Sequence, residues 1–257
     1  MLPSSPLVTV SIVSHGDALP LRDLLESLRA FEEPPRLQLI VTDNLGHDLP
    51  ELGSGEWNSV RLLRNDRPHG YARNHNAAFH YAQGSYFCIM NPDVRFLEST
   101  YAPLIADLDS KKADITAPLV VDPHGAIQDS FRSLPSPIEL LWRRVEGTKM
   151  DANTPTKDSI YPDWIAGIFL LTRTETFSSL GGFDQRYHLY FEDVDLCTRA
   201  RLMGLSIMVD PRVRLQHDAR RASRRPGRHL FWHLQSAARF FSSGVYRQGR
   251  GLAGRHG

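Results

Sequence analysis

The hydrophobic positions fall into short runs separated by turn residues, and the runs alternate between a strand period and a helix period. Residues 7–13 (LVTVSIV) alternate and then fill in, the pattern of a buried strand. Leu21, Leu24, Leu25, Leu28 and Phe31 follow at helical spacing, with Asp17 as the predicted N-cap and Pro34-Pro35 as the stop. Residues 37–42 and 60–63 read as a second and a third strand. Residues 73–83 carry Ala77, Ala78, Phe79 and Ala82 and read as a helix stopped by Gly84. Tyr86-Phe87-Cys88-Ile89-Met90 is a short buried strand, ended by Asn91-Pro92 because proline cannot donate to a ladder. The first acid after it is Asp93.

The second half is less regular. Residues 98–109 predict a helix and 115–121 a strand, followed by a strong turn at Asp122-Pro123-His124-Gly125. Residues 128–137 are extended and proline-punctuated, and 138–144 suit a short helix. Residues 147–159 are polar with no apolar period and read as a mobile loop that could serve as a lid. Residues 161–173 return to strand, and 174–180 form a short helix closed by Gly181-Gly182. After an aromatic-rich stretch, residues 192–203 predict a helix with three acids in its first turn. Residues 207–209 and 213–216 read as two strands around Pro211, the second ending at His217. An arginine-rich loop over 220–228 leads to a last helix over 230–241.

Strand, helix, strand, helix, strand predicts an α/β fold with a mostly parallel sheet flanked by helices. In such sheets ligands bind at the carboxyl ends of the strands, where Asp93 falls. No G-x-G-x-x-G follows the first strand and no G-x-x-x-x-G-K-[ST] occurs, which demotes dinucleotide oxidoreductases and P-loop NTPases. The chain's 257 residues fit a single domain with a sizeable core. A net charge of +1 argues against a polyanion-binding protein as a whole, and no nucleic-acid motif accompanies the arginines. Cys88 and Cys197 lie in apolar patterns and read as buried thiols of a reducing compartment. No signal peptide is expected from the first six residues, and no run of eighteen apolar residues would span a membrane. The expectation is a cytoplasmic protein.

Six stretches in order resemble family 2 glycosyltransferases, inverting enzymes of GT-A (Rossmann-like) fold. They are Val10-Ser11-Ile12-Val13-Ser14, Val41-Thr42-Asp43-Asn44, residues 70–76, Asn91-Pro92-Asp93, Trp164-Ile165-Ala166-Gly167, and Gly181-Gly182-Phe183-Asp184 running into Tyr190-Phe191-Glu192-Asp193-Val194-Asp195-Leu196. The Asn-Pro-Asp form, with Gln128, Ser130, Arg132 and Pro135 at their offsets, looks like the rhamnosyltransferase-like branch that builds bacterial cell-surface polysaccharide. The resemblance implies a catalytic domain over residues 1–219, with a nucleotide-sugar half at about 7–95 and an acceptor half at 96–219. Residues 220–257 would be a basic loop and C-terminal helix.

The resemblance also implies roles. Asp93, with His217 as second ligand, would hold Mg²⁺ or Mn²⁺ against the donor diphosphate, the imidazole tilting the choice slightly to Mn²⁺. Here Asn91 stands where many relatives carry the first acid of a D-x-D. Asp43 would accept a hydrogen bond from the N3–H of a pyrimidine, which uracil and thymine share. Alone, it reads as a turn residue. Ser14, Arg73, Asn76 and Asn91 would complete the nucleotide-sugar site. Trp164, Gly167 and Glu192 would shape the sugar and acceptor side. Asp193 would be the catalytic base, although acids at a helix start are on composition alone a capping feature. The leading expectation is transfer of L-rhamnose from dTDP-rhamnose to a glycan or polyprenyl-linked acceptor, with peripheral contact to the inner face of an anionic membrane. A UDP-hexose transferase and a catalytically silent glycan- or partner-binding domain remain open beside it.

Overall fold

The computed structural model describes residues 7–16, 18–46, 49–53, 55–146, 158–218 and 227–253, the side chains of 141, 143–146 and 253 excepted. β1 (Val8–Ser14), β2 (Leu37–Asp43), β3 (Ser59–Arg64) and β4 (Tyr86–Met90) lie where the apolar runs predict them. They run parallel in the spatial order β3-β2-β1-β4, with α1 (Ala18–Phe31) and α2 (Tyr71–Phe79) in the crossovers. β1, β2 and β4 are buried along their whole length, which is why they read as filled apolar runs and not as alternation. The chain leaves β1 toward β2 and β3, then returns to β1's other side as β4. That reversal opens a crevice at the carboxyl ends of β1 and β4.

Beyond β4 the sheet becomes mixed. β5 (Val94–Phe96), β6 (Ile115–Val121), β9 (Phe169–Arg173) and β10 (Ile207–His217) continue it in the order β4-β9-β6-β10-β5. β9 is antiparallel to both neighbours and β5 to β10, whereas β10 is parallel to β6. A second, two-stranded sheet pairs β7 (Phe131–Arg132) with β8 (Trp164–Ile165). The fold is thus α/β with a mixed, mostly parallel sheet flanked by helices.

Several elements depart from the sequence expectation. The single strand over 161–173 is split into β8 and β9, because the chain turns at Gly167, where an added Cβ would lie 2.8 Å from the Tyr71 hydroxyl. The two strands around Pro211 are one, β10, with a register slip between Asp210 and Arg214 that absorbs the proline. α2 ends at Phe79, four residues early. α3 (Tyr101–Asp109) starts later than expected, where a Glu32 oxygen receives the Thr100 and Tyr101 N–H groups. α4 (Pro137–Glu146) begins on proline behind a capping box. The Ser136 hydroxyl receives the Glu139 N–H, and the Glu139 carboxylate receives the Ser136 N–H.

α5 (Thr174–Ser179) and α6 (Glu192–Leu202) match their prediction closely. α7 (Arg228–Ser242) is followed by α8 (Gly244–Ala253), which glycines at 244, 249 and 251 conceal from any propensity argument. Gly249 instead allows close approach to α6, since a Cβ there would meet Thr198 at 2.5 Å. Tyr187, Phe191 and Val194 pack with Ala237, Phe240 and Tyr246, so α7 and α8 dock on the start of α6 through a second apolar cluster. Cys88 and Cys197 are buried free thiols. The Asp17 cap, most of the loop over 147–159 and the arginines at 220, 221, 224 and 225 lie outside the described residues.

Candidate active site

Parallel register brings the first group together. Ser14 at the end of β1 stands opposite Asp43 at the end of β2, and Ile12 opposite Met90, three residues before Asp93. Ser14 is buried, and its Oγ has no partner among the described residues. One oxygen of Asp43 receives the N–H groups of Leu45 (3.3 Å) and Gly46 (2.8 Å), so the turn reading of Asp43 is realised. The Asn91 N–H donates to the Ile168 carbonyl at 3.0 Å, tying the Asn-Pro-Asp turn to the chain entering β9. Arg73 is exposed on the first turn of α2 and makes no ion pair among the described residues.

A network that the sequence reading missed lies beneath these residues. The Asn44 amide bonds the backbone of His69 in both directions, at 3.0 and 2.8 Å. Asn65 donates to Asn44 and Asn74 at 2.7 and 2.8 Å. The only advance signal was the run of asparagines at 44, 65, 74 and 76.

Asp93 and His217 converge from distant segments. His217 ends β10 opposite Val94 of β5, which places its Nε2 3.3 Å from Asp93 Oδ1. That oxygen is buried yet forms no hydrogen bond among the described residues. A buried carboxylate oxygen beside an imidazole nitrogen, with no hydrogen bond to either from the other, is a donor set that suits a divalent cation. Among the described residues no cluster of three His, Cys, Asp or Glu side chains adds to the pair. Diphosphate and water would therefore supply the remaining ligands, as is common for Mg²⁺.

The acids of α6 are aimed by strained backbone. Tyr190 and Phe191 both adopt left-handed conformations, with φ of 69° and 66°, immediately before Glu192. α2 holds this loop in place. The Tyr71 N–H donates to the His188 carbonyl at 2.8 Å, and Gly70 permits the approach, since a Cβ there would lie 2.4 Å from that oxygen. The Asn76 amide makes two bonds to the Phe183 backbone, at 2.7 and 2.9 Å. The structure thus gives Asn76 the work of a clamp on the loop. The Tyr71 hydroxyl donates to the Gly167 carbonyl, and the Gly167 N–H donates to Asp193 Oδ2 at 3.0 Å. The Val194 N–H holds the other Asp193 oxygen at 2.8 Å.

The two acids differ in environment. Glu192 is buried, its Oε2 is unpartnered, and burial followed by repulsion from Asp193 holds its pKa well above the ordinary carboxylate range. Burial also raises Asp193, but three backbone N–H groups, those of Gly167, Val194 and Asp193 itself, oppose the shift. Asp193 is partly exposed and holds backbone N–H bonds that favour its ionised form, so of the two it is the carboxylate better placed to carry the charge. Trp164 sits between the main core and the second cluster, its indole N–H donating to the Ser133 carbonyl at 3.1 Å.

α7 roofs the loop before α6. His188 and Trp232 rings lie 4.5 Å apart, and the Tyr190 hydroxyl meets His229 Nδ1 at 3.1 Å. His15, just past β1, is held neutral chiefly by burial and also by His229 and His188, against the pull of Asp93. Phe240 is fully buried, so of the apolar side chains on α7 it is Phe231 and Leu234 that face outward. No helix among the described residues is long and apolar enough to cross a membrane.

Comparison with known proteins adds the following. The sequence model described as "Glycosyl transferase family 2" matches residues 9–170. The rhamnosyltransferase WbbL of Escherichia coli K12 is 30% identical over 92% of this chain and 93% of its own. The N-acetylglucosaminyl-diphospho-decaprenol L-rhamnosyltransferase of Mycobacterium tuberculosis is 30% identical over 92% of this chain and 84% of its own. Among solved structures, GalNAc-T7 with UDP, GalNAc and Mn²⁺ superposes with a TM-score of 0.67 at 17% identity, covering 95% of this chain. This chain spans about half of that protein, 49%. A mannosyltransferase of Pyrobaculum calidifontis with GDP-Man and Mn²⁺ superposes at a TM-score of 0.59 and 16% identity, covering 98% of this chain and 76% of its own. At these identities the solved structures speak for the GT-A fold.

Proposed function

Because the chain belongs to glycosyl transferase family 2 and its curated relatives include rhamnosyltransferases, we propose that it is an inverting transferase that moves L-rhamnose from dTDP-rhamnose onto a lipid-linked or glycan acceptor. The observation that carries the reading is two acidic centres that both act on Tyr71 of α2. Asp93 with His217 stands at the strand ends, and Glu192 with Asp193 opens α6 directly after the loop that α2 clamps. The donor would lie in the crevice with its base toward Ser14 and Asp43. Asp43 would use the oxygen not engaged in its turn to meet a pyrimidine N3–H. A divalent cation held by Asp93 and His217 would, when bound, offset the charge that builds on the departing diphosphate. Asp193 would take the proton of the acceptor hydroxyl, its carboxylate oriented by the Gly167 and Val194 N–H groups. Glu192, which burial and repulsion from Asp193 push toward the protonated form, would in that form donate a hydrogen bond to a sugar or acceptor oxygen.

The acceptor of the Mycobacterium tuberculosis relative is lipid-linked by its name, and this chain carries features that suit work at a bilayer. Residues 219–257 hold nine arginines and no acid. Ile138 and Trp142 on α4, and Phe231 and Leu234 on α7, are exposed, while Leu140 packs α4 against the cluster that seats α7. We place this face against the anionic inner leaflet, where each basic residue near the surface is worth about 1 kcal/mol. Co-sedimentation with anionic but not neutral vesicles at low salt, lost at high salt, is expected; equal binding to both would sink this part.

The donor is tested by thermal shift against dTDP-rhamnose, UDP-hexoses and GDP-mannose with Mg²⁺ or Mn²⁺. The largest shift is expected with dTDP-rhamnose and metal. A larger shift with a UDP-hexose would move the assignment to that donor, and no shift with any pyrimidine nucleotide sugar would remove it.

A further inference from the structure

We propose that Gln128 is a positioning residue that locks His217 in the tautomer able to ligate a cation, an inference that rests on the metal reading of Asp93 and His217. Gln128 and His217 are both buried, at 9% and 7% exposure, so neither side chain has water as an easy substitute partner. Gln128 is itself held by backbone bonds, its N–H to the Val120 carbonyl at 2.9 Å and its carbonyl to the Ser130 N–H at 2.9 Å. Its side-chain amide reaches His217 twice. One end donates to the His217 backbone carbonyl, and the other lies 2.9 Å from His217 Nδ1.

The chemistry of these two contacts fixes the proton. A backbone carbonyl only accepts, so the amide must turn its NH₂ toward it. The amide oxygen then faces Nδ1, and an oxygen there requires Nδ1 to carry the hydrogen. In the neutral ring Nε2 is left with its lone pair, aimed at Asp93 Oδ1 across 3.3 Å. Two acceptors side by side, one of them a buried oxygen without a hydrogen bond among the described residues, call for a group that satisfies both, and a divalent cation does so. An asparagine at 128 would be too short for both contacts, and an apolar residue would release the ring.

The experiment reads the tautomer directly in the metal-free protein. Long-range ¹H–¹⁵N correlation of the histidine rings at about pH 8 reports which nitrogen of His217 bears the proton. Wild type should show Nδ1–H. Gln128→Met, which removes both bonds and keeps the bulk, should lose that preference. It should also lower the affinity for Mn²⁺ in the presence of dTDP by about 10–100-fold, the usual cost of losing an outer partner of a metal-bound histidine. Gln128→Glu retains an acceptor for Nδ1–H and should restore the tautomer. Wild type with Nε2–H, or Gln128→Met with unchanged tautomer and Mn²⁺ affinity, overturns the inference while the metal reading stands. Wild type that shows Nδ1–H but binds no Mn²⁺ with dTDP overturns the metal reading, and this inference with it.

Discussion

On the nucleotide side of the crevice, Ser14 and Asp43 stand at the ends of β1 and β2, and Asp93 lies just past β4. Ser14 and Asp43 are placed by parallel register between fully buried strands, so that moving either would require a strand to slip, and Asp93 sits in the turn that follows a third such strand. On the opposite side, Glu192 and Asp193 follow two left-handed residues on a loop. They are placed by a handful of bonds from α2 and by two glycines that permit close contact, Gly70 and Gly167. A sheet edge can hold a donor in fixed geometry. A clamped, strained loop places a base accurately yet leaves its position dependent on single side chains. Substitutions on the first side should therefore change binding, and substitutions on the second should change turnover.

The largest effect is expected at Asp193. Asp193→Asn keeps the shape and the bond from the Gly167 N–H through its oxygen, but cannot accept the acceptor's proton. Turnover, followed as nucleoside diphosphate release, should fall about 10²–10⁴-fold. Asp93→Ala comes next. Metal-dependent affinity for dTDP, measured calorimetrically, should fall at least about 10–100-fold, the scale set by losing a mere outer partner. Retained metal dependence would relieve Asp93 of its role. Asn76→Ala sharpens the contrast, because Asn76 touches neither acid. It leaves the Phe183 N–H and carbonyl without partners, at about 1–3 kcal/mol of stability. Turnover should drop while dTDP affinity holds, and a parallel loss of both would show that the two sides are not separable.

The smallest effect lies away from the crevice, at Glu32. Burial pushes its pKa up to about 7 from an ordinary 4.5. The folded state then binds more protons than the unfolded chain between those values. This contribution to stability is present below about 4.5 and is lost as pH rises to 7. Glu32→Gln keeps an oxygen for the Thr100 and Tyr101 N–H groups and removes the charge. It should raise stability at pH 8 by on the order of 1 kcal/mol, discounted for partial exposure, and flatten the slope of melting temperature against pH. An unchanged slope would assign the pH dependence elsewhere.

The same contrast governs what was legible in the sequence. β1, β2 and β4 announce themselves because strands buried on both faces are continuous apolar runs, and Asp93 is simply the first acid after one of them. The pairing of Asp93 with His217 was reached only through the family resemblance, because it depends on the antiparallel match of β5 to β10 and three residues of β5 are too few to give a pattern. The roles of Tyr71, Asn76 and Gln128 were hidden, since each acts through long-range bonds that no local periodicity reports. Tyr190 and Phe191 carry no glycine to signal their left-handed turn. α8 was missed for the opposite reason: its glycines signal a loop, while packing on α6 holds the helix.

The most direct test measures binding and turnover on the same preparations of wild type, Asp93→Ala and Asp193→Asn. Each is titrated with dTDP and Mn²⁺ in a calorimeter, then assayed for nucleoside diphosphate release from dTDP-rhamnose with a polyprenyl-diphosphate-linked acceptor. The account predicts a crossed result. Asp93→Ala loses the metal-dependent binding, and Asp193→Asn binds as wild type does but turns over about 10²–10⁴-fold more slowly. Near-normal turnover in Asp193→Asn, or loss of donor binding equal to that of Asp93→Ala, would contradict it.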